Sequence, residues 1–138
     1  MRRVHDNPDI TSASYADLIG IEWLDDDPEH ARARAPFRQD LLQPFGLMHG
    51  GVMSSLVESV CSRATALAVI GDGMVAMGQS ISVSFVRPIT EGAAEVNARA
   101  RHRGRTTWVW EAEVRDERER TCALAQMTIA VRQMPVGR

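Results

Sequence analysis

The chain has no lysine at all: among its 138 residues every one of the 16 basic side chains is arginine, against 18 acidic ones, for a net charge of −2. That balance speaks against a general nucleic-acid binder, whose affinity rests on excess positive charge along a phosphate backbone. Arginine favours bidentate phosphate contacts, but a lysine-free chain is read first as compositional bias. Cysteine is scarce too. Cys61 and Cys122 have neither metal-ligand spacing nor the density of a disulfide scaffold, so both are expected as buried free thiols in a reducing compartment. His5, His30, His49 and His102 show no pairing at metal-ligand spacing, and no metal is implied. The N-terminus lacks the apolar core of a signal peptide. Nor does any apolar run read as a membrane span: the most hydrophobic region carries Glu58 and Arg63, each costing about 3 kcal/mol at a bilayer centre. A cytoplasmic protein with no membrane or nucleic-acid partner is the expectation. There are no repeats, linkers or low-complexity segments, and the length suits one domain over 1–138, with flexible tails at 1–11 and 134–138.

What is present is concentrated between Gln43 and Ile70. Gln43-Pro-Phe-Gly-Leu-Met-His49-Gly50-Gly51 leads into an apolar helical pattern carrying Glu58 and Ser62. Gly50 and Gly51 let the backbone turn and approach a ligand closely. The amides that follow them are expected as bare donors, because the first turn of a helix leaves its N–H groups unpaired at the positive end of the macrodipole. An oxyanion or a polarised carbonyl oxygen is stabilised by such donors. Ser62 lies four residues beyond Glu58 and returns to its face. Val52, Leu56, Val57, Val60, Cys61, Ala64, Leu67 and Ala68 predict a helix buried nearly all round. A carboxylate on such an element needs a partner or a wet pocket. Glu58 therefore reads as a functional group, or as half of an ion pair with Arg63 or with a second subunit. His49 reads first as a hydrogen-bonder holding the turn, and second as a base.

The rest of the pattern is mostly strand. Ser12 or Ser14 can cap a short helix ending near Gly20. A hairpin of Ile21–Leu24 and His30–Ala35 turns at Asp25-Asp26-Asp27-Pro28, whose acidic run reads as a solvated turn. After the helix stops at Gly71-Asp72-Gly73, Gln79, Ile81, Val83 and Phe85 alternate with Ser80, Ser82 and Ser84, placing one face on the helix. For the next hairpin, Val96 opposite Val114, Ala98 opposite Ala112 and Ala100 opposite Trp110 also sets Arg99 against Glu111 and Glu95 against Arg115. That register predicts an odd-length loop centred on Arg105. A last hairpin turns at Asp116 to Arg118, and Ala123, Ala125, Met127, Ile129 and Val131 give its second strand an apolar face. The whole is an α+β pattern, an antiparallel sheet wrapped around one long central helix.

The run Gln43, Gly46, His49-Gly50-Gly51, Leu56, Glu58, Ser62, with Phe85-Val86-Arg87-Pro88 and Gly92 behind it, resembles the hotdog-fold acyl-CoA thioesterases. The closest likeness is to the 4-hydroxybenzoyl-CoA and phenylacetate-pathway (PaaI-like) type, with Gln43 and Glu58 where many phenylacetate members have Asn and Asp. The resemblance implies an active site at a dimer interface, in a homodimer or homotetramer, with no cofactor beyond the coenzyme A of the substrate. Gly50 would donate its N–H to the thioester carbonyl and Gln43 would help hold that site. Glu58 of the other subunit would be nucleophile or base, oriented by Ser62, with His49 and Gly51 beside them. Arg87 is a further candidate for the coenzyme A phosphates; Arg103 and Arg105, at an unpaired loop, read equally as phosphate ligands or as a solvated strand face, and Arg99 as a solvated strand face. Met48, Met53, Met74 and Met77 read as the lining of an adaptable acyl pocket or as ordinary core. The alternatives are a non-catalytic acyl-CoA-binding or sensor protein, and an acyl-thioester hydratase or dehydratase.

Overall fold

The computed structural model describes residues 14–135, so the expected tail at 1–11 and the end of that at 134–138 lie outside the described residues. Ser14 caps α1 (Tyr15–Ile19) by accepting the Asp17 N–H, and Gly20 ends it in the left-handed conformation. Two strands follow, β1 (Glu22–Asp26) and β2 (His30–Pro36), then α2 (Gly50–Val69), β3 (Met74–Phe85), β4 (Ala93–Arg103), β5 (Thr107–Arg115) and β6 (Thr121–Gln133). The six strands form one antiparallel sheet in the order β1-β2-β4-β5-β6-β3. Leu56, Val57, Val60, Cys61 and Ala64 of α2 are buried against Ala33, Val96, Trp110, Val114, Met127 and Ile129 of the strands. By length and composition Gly50–Asp72 could cross a membrane; here its apolar surface faces the sheet, which removes the same area from water.

Buried polar groups in this core are matched. Trp110 Nε1 donates to Thr65 Oγ1 at 3.0 Å, and Thr65 in turn donates to the Cys61 carbonyl at 2.8 Å. Both cysteines are free and buried, and burial pushes both thiols up.

Four expectations need correction. The helix is not buried all round: along one side Gly51 and Glu58 are exposed, and Ser54, Ser55, Ser59, Ser62 and Ala66 half-buried. Strand β3 is not one uninterrupted alternation, because a bulge at Gln79 shifts its parity. Met74 and Ala76 therefore pack on the core before the bulge and Val83 after it, while Ile81 and Phe85 stay exposed at the edge. The β4–β5 register is as expected from Glu95↔Arg115 to Ala100↔Trp110, but a bulge at Arg101 then moves it by one, to Arg103↔Trp108. The loop is thus not of odd length; Gly104 N–H bonds the Thr107 carbonyl around a two-residue turn, and Glu111 pairs with Arg101 at 3.4 Å. Finally, the last hairpin turns over a longer loop, with Asp116 N–H bonded to the Arg120 carbonyl.

Because β3 lies at the far edge while β4 returns beside β2, the connection 86–92 must cross the end of the sheet. It passes beneath the start of α2. Ile89 is fully buried there, and its carbonyl accepts the Met48 N–H at 3.0 Å. This crossover and the helix N-terminus are the walls of the site.

Candidate active site

The loop before α2 is closed on itself. Leu42 and Met48 form an antiparallel bridge, Gln43 N–H bonds the Leu47 carbonyl at 2.8 Å, and Gly46 N–H bonds the Gln43 carbonyl at 3.0 Å. Gly46 has φ +82°, a left-handed conformation that a side chain resists. The Gln43 side-chain oxygen accepts the Phe45 N–H inside the same turn. His49 N–H is tied to the Leu41 carbonyl at 2.9 Å, which aims the chain into the helix.

His49 is the N-cap. Its Nδ1 accepts the Gly51 N–H at 2.8 Å, and its carbonyl accepts the Val52 N–H at 2.9 Å. Bare donors throughout the first turn were expected, and this is not so: the Gly51 amide is engaged by His49 and cannot also serve a substrate. Gly50 N–H has no acceptor among the described residues. It borders a cleft of about 380 Å³ lined by Gln43, Leu47, Met48, Gly50, Met53, Phe85, Val86, Arg87 and Pro88. The Phe85 ring lies over Gly50, so that a Cβ there would sit 3.0 Å from Phe85 Cζ. One free amide, pointing from the positive end of a 20-residue helix, therefore opens on a largely apolar cleft.

A family model described as the thioesterase superfamily matches residues 45–123. This chain belongs to the thioesterase superfamily. It is 33% identical to the proofreading thioesterase EntH of Cronobacter turicensis, over 82% of each chain. A thioesterase from Haemophilus influenzae has a similar structure, with a TM-score of 0.83 and 29% identity over 89% of this chain and 85% of that one. A variant of a thioesterase from Pseudomonas aeruginosa gives a TM-score of 0.82 and 33% identity, covering 87% of this chain and 86% of that one. The helix wrapped by its sheet is the hotdog fold, and the protein is a thioester hydrolase.

In this thioesterase the remaining site candidates fall into groups. Gln43, Gly50 and Arg87 meet at the cleft, together with Met48 and Met53, whereas Met74 and Met77 lie toward the other end of β3. Glu58 lies eight residues along α2 from Gly50, about 12 Å at 1.5 Å per residue. It is exposed and, among the described residues, has no hydrogen-bond or ion-pair partner. Arg63, the in-chain partner considered for it, is instead paired with Asp26 at 2.9 Å and lies 4.6 Å from the centre of the Trp23 ring. Ser62 is half-buried one turn further on. Arg103 is not brought to the cleft: it pairs with Glu29 at 3.1 Å and lies over the Trp108 ring. Trp108 is six positions along β5 from Val114, which lies level with Phe85, so Arg103 and the adjoining Arg105 are about 20 Å away along the sheet. Sequence reasoning did not single out Phe85, Val86 and Pro88 as cleft wall; the proline closing a strand end was the available signal.

Proposed function

We propose that the protein is an acyl-CoA thioesterase of the 4-hydroxybenzoyl-CoA and phenylacetate-pathway type, hydrolysing an aryl- or fatty acyl-CoA at sites each built from two copies of the chain. The observation that carries this reading is the unclaimed N–H of Gly50 at the helix start, bordering the cleft, with Glu58 of the same chain eight residues, about 12 Å of helix rise, further along. A reacting carbonyl needs donor and nucleophile within about 3–3.5 Å, so one chain's Gly50 and Glu58 cannot serve one thioester. A second copy supplies the missing half. The exposed edge strand β3, with Met77, Ile81 and Phe85 open and Val86 just beyond, is the surface on which it would pair.

In that site the Gly50 N–H polarises the thioester carbonyl and stabilises the charge that grows on its oxygen. Gln43 holds the loop that presents it. Glu58 of the second copy either attacks the carbonyl carbon or takes a proton from the attacking water, and Ser62 orients it. The carbon–sulfur bond then breaks and coenzyme A leaves as its thiol, its proton coming from the water consumed. Where water attacked, the acid is released directly; where Glu58 attacked, water then hydrolyses the acyl–Glu58 anhydride to free the acid and the carboxylate. No cofactor takes part. Arg87 at the cleft rim suits a coenzyme A phosphate. A cytoplasmic homodimer or homotetramer completes the proposal. The test is thiol release from short-, medium- and long-chain, phenylacetyl-, benzoyl- and hydroxybenzoyl-CoA by wild type and Glu58→Gln. Turnover that falls at least about 10²-fold in the variant supports it; saturable binding without turnover by wild type would instead identify an acyl-CoA sensor.

A further inference from the structure

Strand β3 presents to α2 a row of side chains with one gap. Met74 and Ala76 precede it, Val83 follows the bulge, and between them stands Gly78. Glycine at this position is not needed by the backbone: the positive-φ glycines are Gly20, Gly46, Gly73 and Gly92, and Gly78 is not among them. Its reason is space. A Cβ built on Gly78 would lie 2.6 Å from Glu58 Oε1 and 2.7 Å from Met127 Cε. The carboxylate of Glu58 occupies the volume that any side chain here would take, and the bulge at Gln79 sits directly beside it.

We propose that Gly78 is a positioning residue for the thioester hydrolysis, holding open the slot that fixes the Glu58 carboxylate against β3. This rests on the reading of Glu58 given above. Relief of the clash needs a shift of about 0.8 Å, from 2.6 Å to an ordinary 3.4 Å contact, and Glu58, exposed and without a partner, is free to make it. A displacement on the ångström scale at a reacting group can cost about 10²-fold in rate.

The experiment compares kcat, KM and Tm for wild type, Gly78→Ala, Met127→Leu, the Gly78→Ala/Met127→Leu double variant, Glu58→Gln and Gly78→Ala/Glu58→Gln, on the acyl-CoA panel named above. Gly78→Ala is expected to lose at least about tenfold in kcat with KM within about twofold. Met127→Leu removes the Cε contact and is a near volume-conserving change, so the loss should persist in the double variant with it. In the Glu58→Gln background, Gly78→Ala should cost nothing further, since the two act on one group. Wild-type kcat in Gly78→Ala, or its recovery on adding Met127→Leu, would overturn the positioning role while leaving Glu58 in place. Wild-type kcat in Glu58→Gln, or a wild type inactive on the whole panel, would overturn both.

Discussion

Replacing Gly50 by proline isolates one N–H. Gly50 is the first helical residue, and proline is well accommodated there because its missing donor has no intrahelical partner and its fixed φ suits the helix. The residue before a proline must be extended, and His49 already is, at φ −61° and ψ 132°. The helix should therefore form as before, with His49 still capping Gly51. The side effect is steric, since a Cβ at position 50 approaches the Phe85 ring to 3.0 Å. Phe85 is 52% exposed and can yield. Gly50→Ala carries the same Cβ contact while keeping the N–H, so the ratio of the two variants reports loss of the donor together with the ring Cδ that takes its hydrogen's place. Loss of one oxyanion donor is worth about 10²–10³ in kcat, or roughly 2.7–4 kcal/mol. Thiol release should show Gly50→Ala within about tenfold of wild type and Gly50→Pro a further 10²-fold or more below it. Equal rates in the two variants, with both still folded by circular dichroism, would refute the argument that Gly50 supplies the donor.

Two predictions concern stability. Thr65→Val leaves the buried Trp110 N–H without its acceptor, at a cost of about 1–3 kcal/mol, and should lower Tm by roughly 3–10 °C; Thr65→Ser should keep most of it, and a Thr65→Val protein as stable as wild type would contradict the assignment. For acid stability, hydrogen bonds from Arg115 and Thr121 hold the Glu113 carboxyl below its ordinary 4.5, and backbone N–H groups of Glu29 and His30 hold Asp27 below its ordinary 3.8. Lowered carboxylates contribute stability above their unfolded values and lose it as pH falls through the folded ones. Tm should therefore be flat near neutrality and fall below about pH 4.5, with a shallower fall in Glu113→Gln; an unchanged slope in that variant would rule Glu113 out as a contributor.

Much of this molecule was legible because its local signals agree. Ser14 and Gly20 bracket α1, Gly73 stops the central helix in the left-handed conformation, and opposite charges with small-against-large pairs set the β4–β5 register. What escaped were the bulges, which obey no charge or size pattern. Arg101 leaves no trace in composition, although a glycine inside a strand pattern did mark the bulge beside Gly78. Arg63 and Asp26 are 37 residues apart, and nothing local connects them. The distinction between Gly50 and Gly51 as donors came only from the family resemblance, not from local signals. It depends on which amide the His49 ring turns to, a choice made by the geometry of the cap rather than by residue type. The open side of α2 escaped because its small residues look as much like core as like a face left for a second copy.

The most direct test of a site shared between two chains is complementation. Gly50→Pro and Glu58→Gln chains, each inactive alone, would be co-expressed under separate affinity tags, and thiol release measured on the doubly purified assembly and on the unfractionated mixture. A mixed dimer of this kind has one site with both lesions and one with neither, so random pairing should restore about a quarter of wild-type activity in the mixture and half in the purified heterodimer. Heterodimers that form and remain as inactive as either parent would contradict the account, because donor and carboxylate would then have to act from a single chain.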